Sequence, residues 1–373
     1  MAAVIADAEL AVVGVDVDAK KVEQINKGVN PMPQEPGLSQ LIAKYGGIRL
    51  SATTDIHKAK DCNVYVVIVP LFLDEKHKPD YSILKSAFKS VAQVLKDGDL
   101  VVLETTVPPG TTEKIVKPIL DKSKAKYLLA YSPERIMTGY SISRFREFPK
   151  VVGGVDEAST QAAYDFYIRF SKTVVKVESA RCAELVKVAE GIYRDVNISL
   201  ANELLRASEA LGVDFWQMRE AATHQYCNIL EPGMVGGHCI PVYPWFLINE
   251  LDVPLIKLAR KLNDKMVDYY ADRALKIAKR DGKVGIIGLS YRSGVKEAVH
   301  TTAHALIKAL RKRKLQVYGM DPMFTSQEIR QLFSIEPLPN PEAMDAIILS
   351  NNISGLKLPK NITIDVKNTL KQA

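Results

Sequence analysis

The chain has 373 residues, with 50 lysines and arginines against 43 aspartates and glutamates and a 47% hydrophobic composition. That length allows two or three domains, each able to bury a core, and 25% charged residues is the balance of a water-soluble globular chain. No apolar run approaches the roughly 18 residues of a membrane span, and the net charge of +7 is spread over sites such as Lys20-Lys21, Lys58-Lys60, Lys122-Lys126 and Arg311-Lys314. Neither a membrane nor nucleic acid is therefore expected as a partner, whereas small anionic ligands are. Cys62, Cys182, Cys227 and Cys239 include no C-x-x-C pair and no zinc spacing. This points to a reduced, cytoplasmic chain in which a special cysteine is a nucleophile rather than half of a disulfide. Met1 to Asp7 lacks the basic start and apolar length of a secretory signal and reads as the middle of a helix.

From residue 11 to 177, short β-branched runs alternate with amphipathic stretches. Strands are expected at 11–15, 63–69, 99–103, 126–131, 151–155 and 173–177, and helices at 19–27, 81–95, 111–121 and 157–170. The alternation predicts a doubly wound α/β domain with a parallel sheet over 1–178. Ala180 to Leu211 contains no proline and one glycine, and keeps Leu185, Val188, Ile192, Val196, Ala201, Leu204 and Leu205 at helical spacing. At about 1.5 Å per residue it makes a rod of roughly 45 Å, too long for one small domain. Ser179 is placed to cap this helix and Gly212 to stop it. A second helical stretch at 255–279 follows a Pro/Gly-rich segment at 231–245, so 179–280 is expected to be a helical connector that also supplies a dimer surface. Alternation resumes with strands at 284–287, 316–318, 346–349 and 362–365 and a helix near 303–311, predicting a second, smaller α/β domain over 281–373.

Four places can carry chemistry. Asp16 ends the first strand with Lys21 just beyond it, where dinucleotide-binding folds keep an acid for the ribose hydroxyls, although an acid after a strand also serves as a turn or cap residue. The G-x-G-x-x-G loop of such folds does not precede Asp16, nor does the first strand. Without that loop the pyrophosphate has no backbone N–H cradle, and the chain as given is expected to hold NAD weakly or not at all. Gly236-Gly237-His238-Cys239-Ile240-Pro241 combines glycines that admit a ligand close to the backbone with a cysteine expected near a helix N-terminus, where the thiolate is favoured. Cys239 is thus a candidate nucleophile, the alternative being a buried structural cysteine. His238 precedes it directly and is expected to point elsewhere. Lys187 lies on the long helix, with Gly191 and Asp195 at successive turns beyond it. Thr106 in Thr105-Thr106-Val107-Pro108-Pro109-Gly110 and Glu134 in Ser132-Pro133-Glu134-Arg135 follow strands, the end at which doubly wound sheets bind ligands.

Together GVDVD, TTVPPGTTEK, SPER, ELVK followed by YRDVN, VGGHCIP, GLSYR and the late Asp321-Pro322 resemble the UDP-sugar 6-dehydrogenases, the UDP-glucose and UDP-N-acetylmannosamine dehydrogenases, from the first residues to the C-terminus. The resemblance implies two Rossmann-like domains, one for NAD and one for the UDP-sugar, joined by a long central dimerisation helix, with the first domain lacking its first strand and glycine loop. It implies a four-electron oxidation with two NAD⁺, in which the C6 alcohol becomes an aldehyde, Cys239 captures it as a thiohemiacetal, and a thioester is hydrolysed to the uronate. By resemblance Lys187 stabilises oxygen charge, Glu134 organises water or proton transfer, and Thr106 stands near nicotinamide and water. Asp16 and Lys21 match the adenosine-ribose site. Arg135, Ile136 and Met137 match the loop beside the sugar, and Gly236, Tyr291 and Arg292 match residues facing the UDP-sugar.

Departures from the family pattern are Gly191 in place of an Asn, Tyr243 in place of an Asp, Val299 in place of an Arg, and Leu71-Phe72 in place of Thr-Pro. AEGIYRDVNISLANEL and GGHCIPVYP are closer to the N-acetylmannosamine branch, so UDP-N-acetyl-D-mannosamine is the expected substrate and a cytoplasmic homodimer the expected form. Alternatives are a UDP-glucose or UDP-N-acetylglucosamine 6-dehydrogenase, a non-catalytic UDP-sugar-binding homologue, and a single-step dehydrogenase in which Cys239 is dispensable.

Overall fold

The computed structural model describes residues 1–32, 35–136, 139–353 and 355–371. The chain forms two compact units, 1–189 and 190–373. The first opens with α1 (Ala2–Asp7), β1 (Val12–Val15), α2 (Ala19–Asn26), α3 (Leu38–Tyr45) and β2 (Leu50–Thr53). β1 and β2 pair in parallel, and Ala3, Ala6, Ile42, Tyr45 and Leu50 close a small core around them. β3 (Val64–Val67), the short hairpin β4 (Phe72–Leu73) and β5 (Pro79–Asp80), α4 (Ser82–Ala92), β6 (Leu100–Leu103), α5 (Lys117–Leu120) and β7 (Leu128–Tyr131) follow. The unit continues through α6 (Ser141–Glu147), β8 (Lys150–Gly154), α7 (Glu157–Tyr167) and β9 (Val174–Lys176).

The main sheet runs β3-β6-β7-β8-β9. β6 is buried on both faces, which is why Leu100 to Leu103 is an unbroken apolar run rather than an alternation. Val101 and Leu103 pack with Leu84, Phe88, Val116 and Leu120, whereas Leu100 and Val102 pack with Ala163 and Tyr167. Among the described residues β1 pairs only with β2 and β3 only with β6. One expectation needs correction: β8 runs antiparallel to β7, through Ala130 with Gly154 and Tyr131 with Gly153, so the sheet is not wholly parallel. The apolar run at 151–155 shows burial on two faces and carries no information on direction.

α8 (Ala180–Leu211) has the predicted bounds. The Ser179 hydroxyl oxygen accepts the Cys182 N–H at 3.1 Å, and Gly212 ends the helix at φ +69°. The second unit holds α9 (Phe215–Ala222), α10 (Tyr243–Ile248), α11 (Pro254–Ala278), β10 (Lys283–Ile287), α12 (Thr302–Lys312) and β11 (Gln316–Met320). α13 (Ser326–Phe333), β12 (Glu336–Pro337), β13 (Ala346–Leu349) and β14 (Thr363–Asp365) complete it. Its five strands are all parallel in the order β12-β11-β10-β13-β14, so the winding direction reverses between β10 and β13. Val284 and Ile286 pack with Tyr270, Ala274, Leu306 and Leu310, and Ile287, Ile347 and Leu349 fill the opposite face.

Candidate active site

In the first unit the candidates gather at strand ends. After β6, the buried Thr105 hydroxyl donates to the Val69 carbonyl at 2.7 Å and accepts the Val69 N–H at 2.9 Å, which leaves the half-buried Thr106 as the threonine at the strand mouth. After the neighbouring β7, the Glu134 N–H donates to the Glu104 carbonyl at 3.2 Å, and the Glu134 carboxylate accepts the Ile136 N–H at 2.6 Å. Thr106 and Glu134 therefore share one end of two adjacent strands. Arg135 lays its guanidinium over the Phe148 ring at 4.4 Å and donates to the Pro149 carbonyl at 2.7 Å. Met137 lies outside the described residues.

Behind this end sits a charged cluster that the sequence does not announce. Glu104 is fully buried, and its Oε1 accepts from Lys150 Nζ at 2.9 Å and from the Tyr167 hydroxyl. Burial pushes the Glu104 carboxyl up to about 7 against the opposing pull of Lys150. Lys150 also donates to the Pro133 carbonyl at 3.4 Å, so the pair grips the segment leading to Glu134. Glu184 was missed in the same way. Its carboxylate accepts the Gly110 N–H, the Thr112 N–H at 2.8 Å and the Thr112 hydroxyl at 2.7 Å, pinning the loop after Thr106 to α8. Lys187 follows Glu184 by one turn on α8 and is half-buried.

At the end of β1 Asp16 takes the turn role and the cap role falls to Asp18. Asp18 caps α2 by accepting the Lys20 and Lys21 N–H groups, whereas Asp16 accepts the Asp18 N–H at 2.9 Å and keeps its other oxygen 3.8 Å from Lys21 Nζ. A half-exposed carboxylate at a strand end, with a lysine beside it, fits an acceptor for ribose hydroxyls. The residues present thus suit the adenosine end of a dinucleotide. Among the described residues no glycine-rich loop precedes β1.

In the second unit the candidates meet beyond β10, at the switch point. Asp321 Oδ2 accepts the Leu289 and Ser290 N–H groups at 2.8 and 2.9 Å, and Asn351 Nδ2 donates to the Ser290 carbonyl at 2.6 Å. This fixes the loop that carries Tyr291 and Arg292 and shows why an acid follows β11. The cysteine turn lies against the same loop. Gly237, at φ +95°, holds a backbone conformation strained for any other residue, and a Cβ there would stand a tight 3.1 Å from the Tyr291 ring. Its N–H donates to the His300 carbonyl at 2.8 Å, and a Cβ on Gly236 would press on His300 and Thr302. His238 points to this segment as well, 4.6 Å from the His300 ring and 3.6 Å from Glu297.

Cys239 is exposed, which removes the buried structural alternative. The expected help from a helix N-terminus is corrected: α10 begins only at Tyr243 and is a six-residue helix, and what Cys239 presents to it is its carbonyl, accepting the Val242 and Tyr243 N–H groups at 3.1 and 3.0 Å. Pro244 sits in the first turn of α10, where a missing N–H costs nothing. The buried Asp195–Arg260 pair, with Asn263 bonding Asp195 and Asn202, ties α8 to α11.

One α/β unit thus carries an acid and a lysine at the end of β1, and the other an exposed thiol turn at its switch point. Residues 1–171 match the NAD-binding domain, and residues 181–265 the central domain, of the UDP-glucose/GDP-mannose dehydrogenase family. The chain is 37% identical over 306 residues to the UDP-N-acetyl-D-mannosamine dehydrogenase of Methanocaldococcus jannaschii, covering 80% of this chain and 70% of that one. It is 34% identical to the NDP-N-acetyl-D-galactosaminuronic acid dehydrogenase of Ralstonia nicotianae, covering 84% and 78%. The solved UDP-D-ManNAc dehydrogenase of Pyrococcus horikoshii superposes with a TM-score of 0.82 at 29% identity, covering 94% and 86% of the two chains. The chain belongs to the UDP-glucose/GDP-mannose dehydrogenase family and is an NAD-dependent enzyme of it.

Proposed function

We propose that the chain oxidises the C6 alcohol of UDP-N-acetyl-D-mannosamine to the carboxylate through a covalent intermediate on Cys239, giving a UDP-N-acetylhexosaminuronate. The observation that carries this reading is the exposed Cys239 on a double-glycine turn packed beside Tyr291 at the switch point of the second sheet. NAD, when bound, supplies the hydride acceptor for both oxidations. Asp16 and Lys21 hold its adenosine ribose, and Thr106 stands at the strand mouth near its reactive end. The Cys239 thiolate adds to the C6 aldehyde as a thiohemiacetal, which retains the aldehyde until it has been oxidised in place to the thioester. Lys187 stabilises the charge that develops on the C6 oxygen, and Glu134 directs the water that releases the uronate. Arg135, Ile136, Gly236, Tyr291 and Arg292 contact the UDP-sugar, with an arginine suited to the diphosphate.

In this reading 1–178 is the NAD domain, 179–280 the connector with the thiol turn, and 281–373 the UDP-sugar domain. Exposed Leu185, Tyr193 and Leu200 recur along one stripe of α8 and support a homodimer built on that helix. Four free cysteines suit a reducing, cytoplasmic setting. No helix among the described residues is long and apolar enough to cross a membrane. A second reading concerns the sugar only: the similarity to the galactosaminuronate enzyme named above favours an epimeric UDP-N-acetylhexosamine.

Two variants test the chemistry. Cys239→Ser is expected to abolish uronate formation, and Lys187→Ala to lower kcat by roughly two to three orders of magnitude, as measured by NADH production. Unchanged uronate formation by Cys239→Ser refutes the covalent route.

A further inference from the structure

Gly191 is the sole glycine of α8, and a glycine inside a helix weakens it. The structure supplies the reason for its presence. A Cβ at position 191 would overlap Tyr243 Cδ2 and stand 3.1 Å from its Cγ and 3.2 Å from its Cβ. These atoms lie at the root of the side chain, so rotating the ring cannot clear all of them. The ring is also confined: Tyr243 is 8% exposed and stacks on Phe246 with centroids 5.8 Å apart and planes at 26°. Tyr243 is in turn bonded to the nucleophile's backbone, its N–H donating to the Cys239 carbonyl at 3.0 Å.

The turn bearing Cys239 is therefore held at both ends. On one side Gly237 sits against Tyr291 and donates to the His300 carbonyl; on the other the Tyr243 ring seats on the bare backbone of α8. We propose that Gly191 and Tyr243 are a matched steric pair that sets the position of the Cys239 thiol, with Tyr243 as a positioning residue. The bare helix position and the aromatic ring fill one volume between them, so the two departures from the family pattern are a single change made in two places. The relevance to catalysis rests on Cys239 being the nucleophile, but the geometric claim does not.

The test reads the thiol itself. The alkylation rate of Cys239 by iodoacetamide is measured by peptide mass spectrometry in the full chain, with Cys62, Cys182 and Cys227 in the same sample as internal references. Gly191→Ala and Tyr243→Ala are each expected to change the Cys239 rate by about threefold or more while the reference rates stay level. Tyr243→Phe, which keeps the ring, should retain the parent rate. The double variant should approach Tyr243→Ala alone, because removing the ring takes away the contacts with Cδ2 and Cγ and leaves a methyl group at 191 only the 3.2 Å contact with the retained Cβ of residue 243. If Gly191→Ala does not fold, the double variant must fold for the pairing to hold. A folded Gly191→Ala chain with an unchanged Cys239 rate, a double variant whose effect is the product of the singles, or equal changes at all four cysteines overturns the proposal. Because neither substrate nor NAD is needed, this outcome is independent of the Cys239→Ser turnover test.

Discussion

Glu104 and Lys150 show how a residue can matter to a site without facing it. Both are buried, and the Lys150 ammonium bonded to Glu104 Oε1 offsets only part of the cost of taking the carboxylate out of water. The Glu104 carboxyl rises from 4.5 to about 7 through burial, so folding favours its protonated form. Its contribution is therefore whole below about pH 4.5 and lost as the pH passes about 7. Glu104→Gln should remove this part of the pH dependence, an effect of about 3 kcal/mol at most. Urea midpoints of parent and variant at about pH 5 and about pH 8 would show it, and a gap that stays constant between the two pH values contradicts it. Thr106 and Glu134 were legible in the sequence because each follows an apolar run that ends at a turn. Glu104, Lys150 and Glu184 were not. A buried charge has no periodic signature, and the partners of Glu184, Gly110 and Thr112, are distant in sequence.

Among elements, α8 was legible to the residue, since Ser179 and Gly212 mark its ends in local chemistry that needs no tertiary information. The start of α10 was not, because the position of Cys239 depends on which N–H groups donate back to its carbonyl, those of Val242 and Tyr243, rather than on the prolines alone. The elements α3, β2, α9 and α13 were not expected, although Thr325 and Glu328 form a capping box that announces α13 in local chemistry, and the antiparallel sense of β8 leaves no trace in composition. α8 also anchors the approach to the thiol turn. The Asn202 carboxamide oxygen accepts the Gly233 N–H at 2.7 Å, and its amide donates to Asn263 at 2.9 Å and to the Gly233 carbonyl at 3.1 Å. Asn202→Ala strands these buried groups and is expected to cost about 2 kcal/mol, seen as a lower urea midpoint at unchanged slope. An unchanged midpoint would mean that the network does not hold the turn.

Two α/β units follow one another in the chain, the first matching an NAD-binding domain and the second bearing the thiol turn at its switch point. That plan was readable from alternation and spacing. The choice of sugar rests on resemblance in segments such as GGHCIPVYP rather than on alternation or spacing, because an epimer differs at one hydroxyl and no periodicity records it. The central claim is that one chain carries the alcohol through to the acid on Cys239 without releasing the aldehyde. The most direct measurement is the number of NADH formed per UDP-N-acetyl-D-mannosamine consumed, with NAD raised until the rate no longer changes. Two NADH per sugar, no free aldehyde, and neither uronate nor a second NADH from Cys239→Ser are expected; one NADH per sugar with released aldehyde would overturn the covalent route.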